Sequence, residues 1–78
     1  MKFQEINELY RYCGQLKLWR RWVLGIYAKV ILFPNGVRAC QSYNSPTIIF
    51  YGIDDSVDGK PLSLAEAKAI LKEIQIRK

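Results

Sequence analysis

Asn35-Gly36 stands between two runs of strand-forming residues, 27–33 and 37–43, and no other feature constrains the fold as strongly. Asn-Gly suits a two-residue type I′ turn, whose central residues both need positive φ. The spacing predicts a hairpin in which Tyr27 to Phe33 pairs antiparallel with Val37 to Tyr43. With that loop Ile31 faces Cys40, Leu32 faces Ala39 and Pro34 faces Val37. Proline then sits at a strand end, where its missing N–H matters least.

The flanks of the hairpin read as helices. Phe3, Ile6, Tyr10 and Cys13 recur at helical spacing, with Leu9 widening the stripe, and predict a helix over 3–13. Gly14 suits the residue after its end, because glycine accepts positive φ without steric cost. Residues 16–23 fit a strand or a helix. A strand beginning near Leu16 is favoured, since β-branched and aromatic residues dominate from there to Phe33, with Gly25 at a bulge or turn.

Asn44-Ser45-Pro46 reads as a turn and Thr47 to Ile53 as a third strand. That strand has little polar alternation, which predicts a central position or cover on both faces. Asp54 to Pro61 is an acidic loop with a tight turn at Asp58-Gly59. Ser63 and Glu66 form the S-x-x-E capping box of a last helix. Its apolar stripe is Leu64, Ala67, Ile70, Leu71 and Ile74, and Glu73 with Arg77 makes an i,i+4 pair.

The expected fold is α+β: a small single-layer antiparallel sheet of three to four strands packed against an N-terminal and a C-terminal helix, in αβββα order. At 78 residues the chain is a single domain, 1–78.

Composition excludes several chemistries. The chain has no histidine, so a Ser-His-Asp or Cys-His arrangement is impossible. Its two cysteines, Cys13 and Cys40, cannot close a tetrahedral zinc site within one chain. They read as two partly buried thiols in a reducing compartment; one disulfide would need their Cα atoms within about 7 Å. Glu5, Asn7 and Glu8 interrupt any apolar leader, and the apolar stretch 22–33 contains Lys29 and is too short to span a bilayer. The expectation is a cytoplasmic protein with no membrane partner.

Charge is unevenly placed. Residues 1–40 carry seven Lys and Arg against two Glu, whereas residues 41–78 carry five against five. A basic half can meet an acidic partner. Trp19-Arg20-Arg21-Trp22 concentrates the two residue types that stack on bases, bind phosphates and dominate protein interfaces. The alternative is that the tryptophans fill the core while the arginines reach water.

Two further features have plain readings. Asp54-x-Ser56-x-Asp58-Gly59 has the opening spacing of a calcium loop. Pro61 and Ala65 occupy positions where such a loop needs ligands, and Glu66 comes one residue late, so a solvated turn is favoured. Tyr12 and Tyr43 lie in polar neighbourhoods that predict exposure, and exposed tyrosine favours interfaces. Lys68 and Lys72 read as the solvated face of the last helix.

No cofactor, metal or catalytic residue is expected. Asp54 and Asp55 are the only paired acids, and neighbours in extended chain point apart. The leading expectation is a non-enzymatic protein that binds another protein as a stoichiometric inhibitor or regulator. Phage and mobile-element inhibitors of nucleic-acid-targeting defence complexes (anti-CRISPR-like) are of this size, and the expectation extends to them. The expected contact residues are Arg20, Arg21, Trp22, Arg38 and Tyr43. The partner is a protein or a nucleoprotein complex. The alternative is a DNA- or RNA-binding module using 19–22, and an edge strand could pair two copies as a homodimer.

Overall fold

The computed structural model describes residues 3–18, 21–24, 28–33 and 36–76, with 21–24 and 75–76 described by backbone alone. Helix α1 spans Gln4–Gln15. Strands follow at β1 (Arg21–Leu24), β2 (Ala28–Leu32), β3 (Arg38–Ser42), β4 (Ile48–Tyr51) and β5 (Pro61–Leu62), and helix α2 (Leu64–Ile76) closes the order. The strands form one antiparallel sheet in sequence order. This is the expected α+β arrangement, with β5 adding two residues at one edge.

Both helices pack on the same face. Ile6, Leu9 and Cys13 of α1 and Ala67 and Leu71 of α2 join Ile31, Ala39, Ile48 and Phe50 of the sheet in one buried cluster. Alternation explains this: β3 reads exposed, buried, half-buried, buried, exposed, so Ala39 and Gln41 turn inward and Arg38, Cys40 and Ser42 outward. The stripe anticipated on α2 is the one that packs, with Leu64, Ile70 and Ile74 half-buried beside Ala67 and Leu71. Its capping box is reciprocal: Ser63 N–H donates to Glu66 Oε1 at 2.9 Å, and Glu66 N–H donates to Ser63 Oγ at 3.2 Å. The Ser63 backbone N–H foremost, and then the Ser63 hydroxyl, hold the Glu66 carboxyl below its usual pKa. Arg77 and the tryptophan Trp19 lie outside the described residues, as do Arg20, Gly25, Tyr27, Pro34 and Asn35.

The hairpin register differs from the expected one by a residue. Val30 faces Cys40, Ile31 faces Ala39 and Leu32 faces Arg38. Phe33 N–H donates to the Val37 carbonyl at 3.0 Å, and Gly36 N–H donates to the Phe33 carbonyl at 3.1 Å. The connection is therefore three residues long. Gly36 closes that connection in the left-handed region, at φ +92°.

Helix α1 also runs past its expected end. Gly14 is inside it, and Lys17 at φ +57° takes the left-handed position. Lys17 N–H donates to the Gly14 carbonyl and Leu18 N–H to the Cys13 carbonyl, both at 3.1 Å, which is a Schellman termination. Residues 16–23 accordingly divide: Leu16 caps the helix, Leu18 is buried and the strand begins at Arg21 rather than near Leu16. Strand β4 is flanked on both sides, the central position anticipated; Ile48 and Phe50 are buried on its inner face, while Ile49 is half-buried and Tyr51 exposed.

Candidate functional site

The sheet face opposite the helices has no helix over it among the described residues. The pairings β2–β3–β4–β5 set out its rows: Val30, Cys40, Ile49 and Pro61 in one, Leu32, Arg38 and Tyr51 in the next. Val30, Cys40, Ile49 and Leu32 are half-buried, so the centre of the face is apolar. Arg38 and Tyr51 are exposed at one end of it. They are direct cross-strand partners, and the Arg38 guanidinium lies over the Tyr51 ring, 5.5 Å from its centroid. A cation over an aromatic face is held without using its N–H donors.

Register adds a second arginine. Arg21 pairs with Leu32 from the other side, which puts its backbone in the row of Arg38 and Tyr51, about 10 Å from Arg38. Trp22 pairs with Ile31, and so shares a row with Ala39 and Phe50. Arg20 lies outside the described residues. Tyr43 is 46% exposed but follows β3 at its far end, about 16 Å along the strand from Arg38. There it packs on Phe3, ring centroids 5.9 Å apart, and Lys29 Nζ sits 5.3 Å from the Phe3 ring while donating to Asn7 Oδ1 at 3.2 Å. Of the anticipated contact residues, Arg21 and Arg38 share a row, and Tyr43 belongs to a separate aromatic cluster. Tyr51 was missed by sequence reasoning, although Phe50-Tyr51 alternation would have pointed to it once the strand's inner face was known.

Cys40 lies in the apolar row beside Arg38. Burial pushes its thiol pKa up, and the Arg38 charge opposes that. Cys13 is fully buried on the inner side of α1, and neither cysteine is in a disulfide.

The acidic loop borders the same end of the face. Asp58 Oδ2 accepts from Gly52 N–H at 2.9 Å, and Oδ1 accepts from Ile53 and Asp54 N–H at 3.0 and 3.2 Å. These bonds, that to Ile53 foremost, hold the Asp58 carboxyl below its usual pKa. Asp54 Oδ1 accepts from Ser56 and Val57 N–H. The spacing that resembled a calcium loop is thus used to bind backbone. Among the described residues no group of three or more metal-ligating side chains comes together.

A groove of about 200 Å³ on the opposite side lies between the helices, lined by Glu8, Arg11, Tyr12, Gln15 and Lys68. Tyr12 is half-buried there rather than exposed, with Lys68 Nζ 5.4 Å from its ring. Among the described residues, no helix is long and apolar enough to cross a membrane. Compared with known proteins, the chain matches no family model, no curated protein and no solved structure.

Proposed function

We propose that this protein is a non-enzymatic binding protein that acts stoichiometrically on a protein partner, as an inhibitor or regulator. The observation that carries the reading is the helix-free sheet face, apolar at its centre and rimmed by the exposed Arg38–Tyr51 pair. An apolar core with an arginine and a tyrosine at its margin is the make-up of a protein interface. A nucleic-acid platform needs a track of cations. Here Lys29 and Lys68 lie over rings of the helix side, and the acidic 54–58 loop borders the face. The inter-helix groove, at about 200 Å³ and open, is smaller than ordinary ligand pockets. Inhibitors from phages and mobile elements that block nucleic-acid-targeting defence complexes are the class of partner-directed protein favoured by this reading.

The test has two arms. Anisotropy against labelled random-sequence DNA and RNA, single- and double-stranded, should show no binding at moderate salt. Inhibition of RNA-guided target cleavage should saturate at one protein per complex and be lost with Arg38→Ala plus Tyr51→Ala. Tight, steeply salt-dependent binding to naked nucleic acid would replace this reading with the nucleic-acid one.

A further inference from the structure

Resting on that reading, we infer that the helix-free sheet face seats an acidic segment of the partner protein, with a carboxylate taken by the Arg38 guanidinium. Three observations choose this occupant. First, Arg38 is exposed, lies over the Tyr51 ring and has no carboxylate partner among the described residues. A guanidinium held through its face on a ring keeps its donor edge for a bidentate acceptor. Second, the backbone of Arg21 holds the register position beyond Leu32 in the same row. Third, the adjacent row of Val30, Cys40 and Ile49 offers apolar area beside the charge. The segment that fits both rows alternates carboxylates with apolar side chains.

A second copy of this chain fits poorly. It would set two chains of net charge +5 against each other, Arg38 face to Arg38 face. The acidic loop keeps its charge but does not occupy the Arg38 guanidinium, because Asp58 and Asp54 turn oxygens to the backbone N–H groups of 52–57. Phosphate would suit a guanidinium equally well, but not the apolar row beside it.

The test is a residue-resolved amide NMR titration of the 15N-labelled chain at low salt. The probes are a Glu-Leu alternating hexapeptide, its Gln-Leu counterpart and a dT hexanucleotide. The Glu-Leu peptide should shift Val30, Arg38, Cys40, Ile49 and Tyr51 amides and leave Lys68 and Lys72 unmoved. Arg38→Ala should weaken it about tenfold and Arg38→Lys severalfold, since lysine keeps the charge and loses the fork. Lys72→Ala should bind unchanged, and retained amide dispersion shows that each variant is folded. Equal shifts from the Gln-Leu peptide would overturn the acidic partner while leaving a protein-docking face. Stronger binding of dT on the same amides would overturn both. Glu-Leu shifts confined to α2 would overturn the assignment of the face and leave the cleavage-inhibition test to judge the function.

Discussion

Gln41 Oε1, on the inner side of β3, accepts the backbone N–H of Ile6, in the first turn of α1, at 3.0 Å. That N–H is among those a helix start leaves without an internal partner. The same side chain donates to Glu5 Oε1 and to the Ser45 carbonyl, both at 2.8 Å. One buried glutamine therefore fastens a helix start and the β3–β4 turn to the sheet, and fixes which face of α1 meets the core.

Gln41→Leu should accordingly destabilise the fold by about 2 kcal/mol, because the Ile6 N–H is left buried without an acceptor. The variant also predicts a change with pH. The Gln41 amide is the foremost cause of the lowered Glu5 pKa. A lowered carboxyl pKa gives stability that is present above the unfolded value and lost as pH falls through the folded one. Urea melts across the acid range should show a shallower loss in Gln41→Leu than in the parent. An identical acid slope would separate Glu5 from this network.

Lys17 pays for a left-handed φ of +57° that glycine would adopt without steric cost. Lys17→Gly should stabilise the chain by roughly 1 kcal/mol, seen as a higher urea midpoint at unchanged slope. A lower midpoint would mean that the lysine side chain contributes more than its backbone costs.

This position also shows where sequence legibility ended. Glycine at 14 is the local signal for a helix stop, yet the helix continues to Gln15. What decides the stop is tertiary: Leu18 is buried and its N–H reaches back to the Cys13 carbonyl, so the chain reverses where Leu18 meets the core. Such a contact has no signature within a short window. Residues 63–76, by contrast, were legible because capping box and stripe are both local. The hairpin lies between these cases. Its existence followed from Asn-Gly, but its register is one residue away from that of a two-residue loop, and a one-residue slip changes every cross-strand partner. The proposed contact residues are readable in the sequence as types rather than as a surface. Only register could show that Arg38 meets Tyr51 and that Tyr43 sits at the other end of β3.

Gly52 shows a backbone constraint of the same long-range kind. Its φ is +90°, and a Cβ there would stand 2.7 Å from the Gly36 carbonyl oxygen and 3.2 Å from Val37 Cα. Gly52→Ala should therefore cost about 2 kcal/mol or more, since neither backbone can give way without disturbing the hairpin. Gly59 is the matched control, at φ +79° with nothing within 4 Å of its added Cβ. Gly59→Ala should cost only about 1 kcal/mol. Equal thermal shifts in the two variants would show that φ alone matters and that the close approach to Gly36 relaxes freely.

Cys40 offers a direct probe of the helix-free face. It lies half-buried in the row of Val30 and Ile49, while Cys13 is fully buried on the inner side of α1, across the sheet. Iodoacetamide should thus modify Cys40 in the native protein and reach Cys13 only on unfolding. The thiolate is the reacting form, and burial raises the Cys40 pKa, so native labelling should be slower near neutral pH than that of an exposed cysteine. The rate should still be climbing at pH values where an exposed cysteine has levelled off. Removing the nearby positive charge with Arg38→Ala should move the midpoint of that profile higher still, because the arginine is what opposes the burial effect. A midpoint that stays put or falls in the variant would place the Arg38 charge too far from Cys40 to act on it. Protection of Cys40 by the Glu-Leu peptide, lost in Arg38→Ala, would then report occupancy of the face by the same chemistry the titration reads.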